Sequence, residues 1–491
     1  MACSAKLRPQ DTPLDRALYV RDHLAPNLFR SIIGADTAAP AAGTPTAATP
    51  SAAWRLSPQP FALSPATVAS LQSLGADLLK FYRAVNRIYS MSVRGTAPEF
   101  FARYLELGKP EHIVRLQRQN RFRSDVPSLI RPDIILTEDG MIASELDSIP
   151  GGMGFVGAMG QTYCELGFDQ VGEFDGMVRG FARMAQSLSG KDQPTIAIVV
   201  SAESDDYRGE MSWLADALRA AGLAEAVALR PEDVFFTEEA LVIDTPDGRR
   251  TVDVLYRNFE LFDLLNVSKQ ELMMYAARHK RVVMTPPPKS FLEEKLAFAL
   301  LHNNALHTLW RQELGAQTFE RLLKLMPQTW ILDPRPLPPQ AVLAGLSVDG
   351  YPVRDWRELY GLSKAERQFV VKPSGFSPLA WGSKGVYIAN DLTRNEWMAV
   401  LDGGLATFES SPQILQRYHK ARRVRAQYVD VASNTVKDMD GRVRLCPYYF
   451  VAADEAILSG VLATVVPADK RLIHGMADAI MAPCMEAVEG Y

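Results

Sequence analysis

Residues 131–152, RPDIILTEDGMIASELDSIPGG, carry acidic side chains at a spacing that can bind a cation. The segment reads as two short strands joined by Glu138, Asp139 and Gly140. A three-residue hairpin loop, a type I turn followed by a left-handed residue, favours Gly in third place, where Gly140 stands. Such a loop pairs Thr137 with Met141, Asp133 with Glu145 and Arg131 with Asp147. Because strand side chains alternate with period two, Arg131, Asp133, Glu145 and Asp147 then share one face. Three carboxylates so placed repel one another unless a cation lies between them, and neutralising one is expected to relieve that repulsion. Hard oxygen ligands suit Mg²⁺, which takes a few carboxylates together with nucleotide phosphates. A Mg-ATP site is one reading; a solvated acidic hairpin that keeps a sheet edge soluble is the other.

A second signal is Lys372 in FVVKPSGFSPLAWGSKGVYIA. Its strand ends in Lys-Pro, and a loop containing Gly375 and Gly382 returns through Lys384 and Gly385 into a second strand. Such a loop can lay backbone N–H groups over phosphates while the lysine neutralises them. If it closes over phosphates, 374–384 is expected to be mobile without nucleotide. Lys295 lies in SFLEEKLAFALL, read as an apolar helix, where a lysine ordinarily snorkels to solvent. Gly151 and Gly152 open GGMGFVGAMG, read as a close-packed helix of small residues whose N-terminal amides can take a carboxylate or phosphate. The seven histidines show no metal spacing, and no G-x-S-x-G motif is present.

The elements that must position these residues are legible from periodicity. Apolar residues recur at helical spacing from Val68 to Ile88, with Ser64 as N-cap and Pro65 at the first helical position. After Gly190 the pattern becomes strand, helix, strand: TIAIVV (195–200), a helix over 211–221, VAL near 227 and VDVLYRN (252–258). Strands alternating with helices predict a parallel, Rossmann-like unit. SAESDD follows TIAIVV in place of a G-x-G-x-x-G turn, which argues against dinucleotide binding there. The fold class expected is α/β with α+β elements. Its divisions are an N-terminal segment, 1–55, with an Ala/Pro/Thr-rich linker over 35–53; a helical region with the acidic hairpin, 56–190; the Rossmann-like unit, 191–288; and a nucleotide-binding part, 289–491.

With 491 residues, 47% hydrophobic and 22% charged, the composition is that of a folded globular protein. A net charge of −4 gives no global field that would draw it to nucleic acid or anionic lipid. Its four cysteines form no C-x-x-C pair, which argues against a zinc knuckle or disulfide framework, and no apolar run reaches the roughly 20 residues that span a bilayer. A cytoplasmic protein with no membrane partner is expected.

At the hairpin the chain resembles the ATP-grasp ligases. Arg131-Pro132-Asp133, then Glu145-Leu146-Asp147 and Pro150-Gly151, are similar to that family's R-x-D, E-x-N and Pro-Gly pattern, with Asp147 where Asn is usual. The hairpin precedes both the Rossmann-like unit and the lysines, which resembles the circularly permuted, glutathionylspermidine synthase-like group over residues 131–485. The resemblance implies ATP and Mg²⁺ as cofactors, with Asp133, Glu145 and Asp147 on the metal. It implies Lys295, Lys372, Gly375, Gly382, Lys384, Gly385 and Arg444 around the phosphates, and Gln427, Tyr428 and Val429 of RAQYVDV at the adenine. Arg131 would steady an acyl phosphate and a tetrahedral oxyanion. Tyr256, Arg257 and Glu260, with Gly151 and Gly152, would contact substrate. The implied activity is ADP-forming ligation of a small-molecule carboxylate to an amine of the amino acid, peptide or polyamine class. A phosphotransferase, or a degenerate nucleotide-binding regulatory or scaffold module, is the alternative.

Overall fold

The computed structural model describes residues 11–23, 55–147, 149–338, 341–380, 384–430, 433, 435–474 and 478–487. The Ala/Pro/Thr-rich stretch and Gly382 lie outside them. The fold is mixed α/β, as the alternation of periods predicts. Its backbone is a seven-stranded sheet in which the long strand Thr435–Ala452 is flanked by Glu455–Pro467 on one side and by Leu129–Thr137 on the other. Leu129–Thr137 in turn pairs with Gly140–Asp147, so the acidic hairpin is an edge of a sheet whose other strands come from the last part of the chain.

Against this sheet packs the helix Pro65–Val93. Ser64 caps it by accepting the Thr67 N–H at 3.3 Å, and the inner residues Leu71, Leu78, Phe81, Tyr82, Val85 and Ile88 are almost wholly buried. The two branched and aromatic faces interlock in one apolar core that also takes in Leu296–Leu301 and His307–Leu314.

The expected parallel unit is present. Its four strands lie in the order Val283–Thr285, Val254–Asn258, Thr195–Val200, Glu225–Leu229, every pair parallel. From Thr195–Val200 the chain first crosses to one side and later to the other, which creates a topological switch point between Thr195–Val200 and Val254–Asn258. A smaller antiparallel sheet, Thr329–Ile331, Gln413–Arg417, Phe369–Pro373 and Tyr387–Ile388, carries Lys372.

Among the described residues no helix is long and apolar enough to cross a membrane. Cys446 and Cys484 are free and buried, whereas Cys164 is disulfide-bonded, a single bridge where no disulfide framework was expected.

Candidate active site

The hairpin reaches the expected pairing by a different route. Its loop has two residues, with Thr137 opposite Gly140, so a regular ladder would have put Asp133 opposite Ser144. A β-bulge after Asp133 leaves Ser144 unpaired and restores Asp133↔Glu145 and Arg131↔Asp147. The extra residue also frees its carbonyl: Lys372 Nζ donates to the Ser144 oxygen at 2.8 Å, across 228 residues of sequence. Lys295 Nζ lies 3.3 Å from Glu145 Oε2 and donates to the Ala380 carbonyl at 3.2 Å. The two lysines expected to face phosphates therefore converge on the hairpin. Lys295 is the N-cap of the helix Leu296–Leu301 rather than a member of it.

The acids are not left to repel one another. Arg131 Nη2 bridges Asp133 Oδ1 at 3.1 Å and Asp147 Oδ2 at 2.9 Å, and Arg444 Nη1 takes Asp133 Oδ2 at 2.8 Å. Cys446, two residues on from Arg444 and on the same strand face, donates its thiol to Asp133 Oδ1 at 3.4 Å. Asp133 is 2% exposed and both its oxygens are engaged. The expected repulsion is thus replaced by pairing to buried cations. Among the described residues, Arg131 and Arg444 each keep a buried Nε–H with no hydrogen-bond partner. Although burial opposes ionisation, Lys295, Lys372, Arg131 and Arg444 hold the Glu145 carboxyl down to about 2. Burial raises Asp147, against Arg131 and the Ile149 amide, which donates to Oδ1 at 2.9 Å. Burial lowers Lys372 to about 8, with Glu145 opposing.

Among the described residues no group of three His, Cys, Asp or Glu is arranged to hold a metal ion unaided. The donors fit a nucleotide-bound Mg²⁺ better than a free one: Glu145 and Asp147 share a face, their side chains about a third exposed at 29% and 33%, while Asp133 has no free oxygen.

The loop after Lys372 is docked over its described part. Glu294, ion-paired with Lys109 in the interior, accepts the Ser374 hydroxyl and the Phe376 N–H, and Lys295 N–H donates to the Ser374 carbonyl at 3.1 Å. Gly375 sits against the Glu293 carbonyl, where a side chain would not fit. These bonds join 374–380 to the Lys295 segment. Lys384 is exposed on the return, and Gly385 packs on Pro373. Neither the Glu294 latch nor Cys446 was anticipated; the only sequence signals were an acidic pair beside Lys295 and the R-x-C spacing.

Two expected groups are placed differently. Gln427, Tyr428 and Val429 lie on the outer strand Arg423–Asp430, opposite Asp438, Lys437 and Val436. Asp438 is six residues from Arg444 along the same strand, about 20 Å at roughly 3.3 Å per residue. Gln427 donates to Asp438 at 3.1 Å, and Arg55 stacks over the Tyr428 ring. The helix Met153–Glu165 begins after Gly152 in the left-handed region at φ 93°, as a small-residue start requires. Its amides are already used, because Glu210 accepts from Gly152 N–H at 2.7 Å and Phe155 N–H at 3.3 Å. Tyr256 and Arg257 are fully buried. Arg257 donates to the carbonyls of Phe259 (2.6 Å), Pro286 (3.3 Å) and Pro287 (3.5 Å) and pairs with Glu293, so it is a structural ion.

Burial raises Glu210 to about 7, against its amide donors. Between the unfolded value near 4.5 and 7 the unfolded chain gives up this proton while the folded protein keeps it, so stability falls as pH rises through that window. The full contribution is on the order of 3 kcal/mol. Glu210→Gln, which keeps an acceptor for Gly152 and cannot ionise, is expected to flatten the decline in urea-unfolding free energy between pH 5 and 7. An unchanged slope in this variant would refute the assignment.

The sequence matches no family model, and the search of curated proteins gave no match. The fold is similar to that of a glutathione synthetase-like effector from Globodera pallida in its apo form. That alignment has 11% identity, covers 99% of this chain and 100% of that chain, and has a TM-score of 0.54. A candidate gamma-glutamylcysteine synthetase from Methylobacillus flagellatus KT aligns at 12% identity over 77% of this chain and 85% of that one, with a TM-score of 0.37. The first similarity defines the class of fold, a mixed α/β architecture of the glutathione synthetase-like kind.

Proposed function

We propose that the chain is an ATP-dependent carboxylate-amine ligase of the permuted ATP-grasp type, with the divisions expected from the sequence. The observation that carries this reading is the convergence of Lys295 and Lys372 on the bulged hairpin that bears Arg131, Glu145 and Asp147. The similarity to a glutathione synthetase-like fold supports it.

In this reading a substrate carboxylate attacks the γ-phosphate of ATP, giving an acyl phosphate and ADP, and an amine then displaces phosphate to form the amide. Lys295 and Lys372 neutralise charge on the phosphates, with the described part of the 374–384 loop holding Lys295 in place. The Nε–H of Arg131, unpartnered among the described residues, is the donor for the oxyanion that develops on the acyl carbonyl oxygen, and Arg444 supplies a second such donor. Glu145 and Asp147 are the residues that would hold Mg²⁺ with the phosphates, while Asp133 fixes the two arginines. The bound ion would shield the triphosphate.

A second reading, a nucleotide-binding module without turnover, is favoured by the full engagement of Asp133 with arginine. Measuring ADP release over a panel of acids with and without amines separates the two. The ligase reading expects ADP release that depends on both; ADP release with no amine requirement indicates a phosphotransferase, and ATP binding without release under every combination indicates the module.

A further inference from the structure

We infer that Lys109 is a positioning residue for the phosphate-facing lysines: through Glu294 and Ser374 it fixes the Lys295 segment against the strand end that carries Lys372, and so sets how tightly a polyphosphate is held. This rests on the reading that both lysines meet the phosphates of ATP.

Lys109 comes from the helical region, 185 residues before Glu294. It lies between the helices Glu99–Glu106 and Glu111–Gln117, where its amide donates to the Glu106 carbonyl at 3.2 Å. Gly108, just before it, is in the left-handed region at φ 71° and lies against the Ser410 carbonyl, where a side chain would not fit. With its backbone held in this way, the Lys109 side chain runs inward to pair with Glu294, and the two side chains are 0% and 1% exposed. Its ammonium also stands 5.7 Å from the centre of the Phe376 ring.

Glu294 passes that contact on to the loop. One of its oxygens accepts the Ser374 hydroxyl; the other accepts the Phe376 N–H at 3.3 Å as well as the Lys109 ammonium. While it donates to Glu294, the Ser374 hydroxyl oxygen accepts the Leu296 N–H at 3.0 Å, and the Ser374 carbonyl accepts the Lys295 N–H at 3.1 Å. Two consecutive amides of the Lys295 segment are therefore tied to one residue. That residue stands two positions after Lys372, and its own N–H donates to the Pro412 carbonyl at 3.0 Å. Further along the loop, the Ala380 carbonyl accepts from Lys295 Nζ at 3.2 Å.

A positioning role accounts for charges at this place. A buried ion pair adds little net stability over apolar side chains of the same volume. What an apolar pair could not do is accept from Ser374 and Phe376, and so hold the backbone from which Lys295 extends. Because the Lys109 and Glu294 side chains are enclosed, they act through Ser374 and not on phosphate itself.

The test uses the full chain with both charges replaced, Lys109→Met together with Glu294→Leu, an apolar pair of similar volume expected to unfold at a temperature close to the parent's. Hydrogen exchange without nucleotide should speed up at the amides of Lys295 and Leu296 and stay unchanged in the strand Thr195–Val200. Isothermal titration should show Mg-ATP bound about tenfold or more weakly, the scale of one charged hydrogen bond misplaced. Lost affinity at a retained unfolding temperature is what positioning requires and a merely structural role does not produce. Since the pair acts through Ser374, adding Ser374→Ala should weaken Mg-ATP little further. Should the apolar pair not fold, Ser374→Ala alone, which keeps Lys109 on Glu294, is read for the same loss. Unchanged exchange at Lys295 and Leu296, or undiminished Mg-ATP affinity, would overturn the inference. A parent that binds no Mg-ATP would overturn it together with the ligase reading, whereas pair-dependent ATP binding in a protein that never forms an amide would uphold it and refute the ligase alone.

Discussion

Replacing Arg131 by Met is expected to lower amide formation by on the order of 10²-fold or more while changing ATP affinity only a few-fold. Arg131 spends Nη2 on Asp133 and Asp147, and these bonds hold the guanidinium plane in place. Its Nε–H is buried and has no partner among the described residues, a donor that costs free energy unless a ligand accepts from it. A fixed donor of this kind favours charge that grows in the transition state over charge already present in bound ATP. Arg131→Lys sharpens the test, since a lysine keeps the positive charge and can still meet Asp133 but lacks the second donor. It should fold more stably than Arg131→Met yet recover little of the lost rate. Calorimetry with ATP, paired with product formation once an acid and amine are found, reads both quantities. If ATP affinity collapses in both variants while turnover at saturating ATP survives, Arg131 is a phosphate ligand and the acyl-transfer assignment is wrong.

Asp133→Asn and Glu145→Gln should separate two roles that the sequence groups together. Asp133 is buried and is the anion on which both Arg131 and Arg444 depend. Neutralising it leaves two buried guanidinium groups short of charge, so the folded state should lose about 3 kcal/mol in urea unfolding. A view based on carboxylate repulsion alone predicts a gain. Glu145 is partly exposed and keeps its proton off to about pH 2 because cations surround it. Glu145→Gln should therefore lower stability at neutral pH, though by less than Asp133→Asn because the carboxylate is partly exposed, and abolish Mg-ATP turnover by removing a metal oxygen and loosening Lys295. Above pH 4.5 the stability that its ionisation contributes is fully present, and it fades as pH falls toward 2. The variant should lack that acid-side loss. Should Asp133→Asn be more stable than the parent and Glu145→Gln keep full turnover, the division of labour on the hairpin fails.

Period-two alternation, a short acidic loop and a glycine were enough to place Arg131, Asp133, Glu145 and Asp147 on one face, because strand geometry is local. The same holds for the Ser64-capped helix and the parallel unit, where spacing and caps act within a few residues. The bulge was not legible: the two-residue loop and the unpaired Ser144 offset each other, so the correct register follows from two deviations that leave the face unchanged. The counter-ions were legible only as types. That Arg444 reaches Asp133, Lys372 the Ser144 carbonyl and Lys295 Glu145 depends on a sheet that joins Leu129–Thr137 to the last strands of the chain. Tertiary structure also decided against one local signal: the anion-binding helix start at Gly152 is taken by Glu210 from a neighbouring helix. Composition and spacing determine which groups one element can present; long-range packing determines which charges meet, and so whether three clustered acids repel, hold a metal or, as Asp133 does, anchor two arginines.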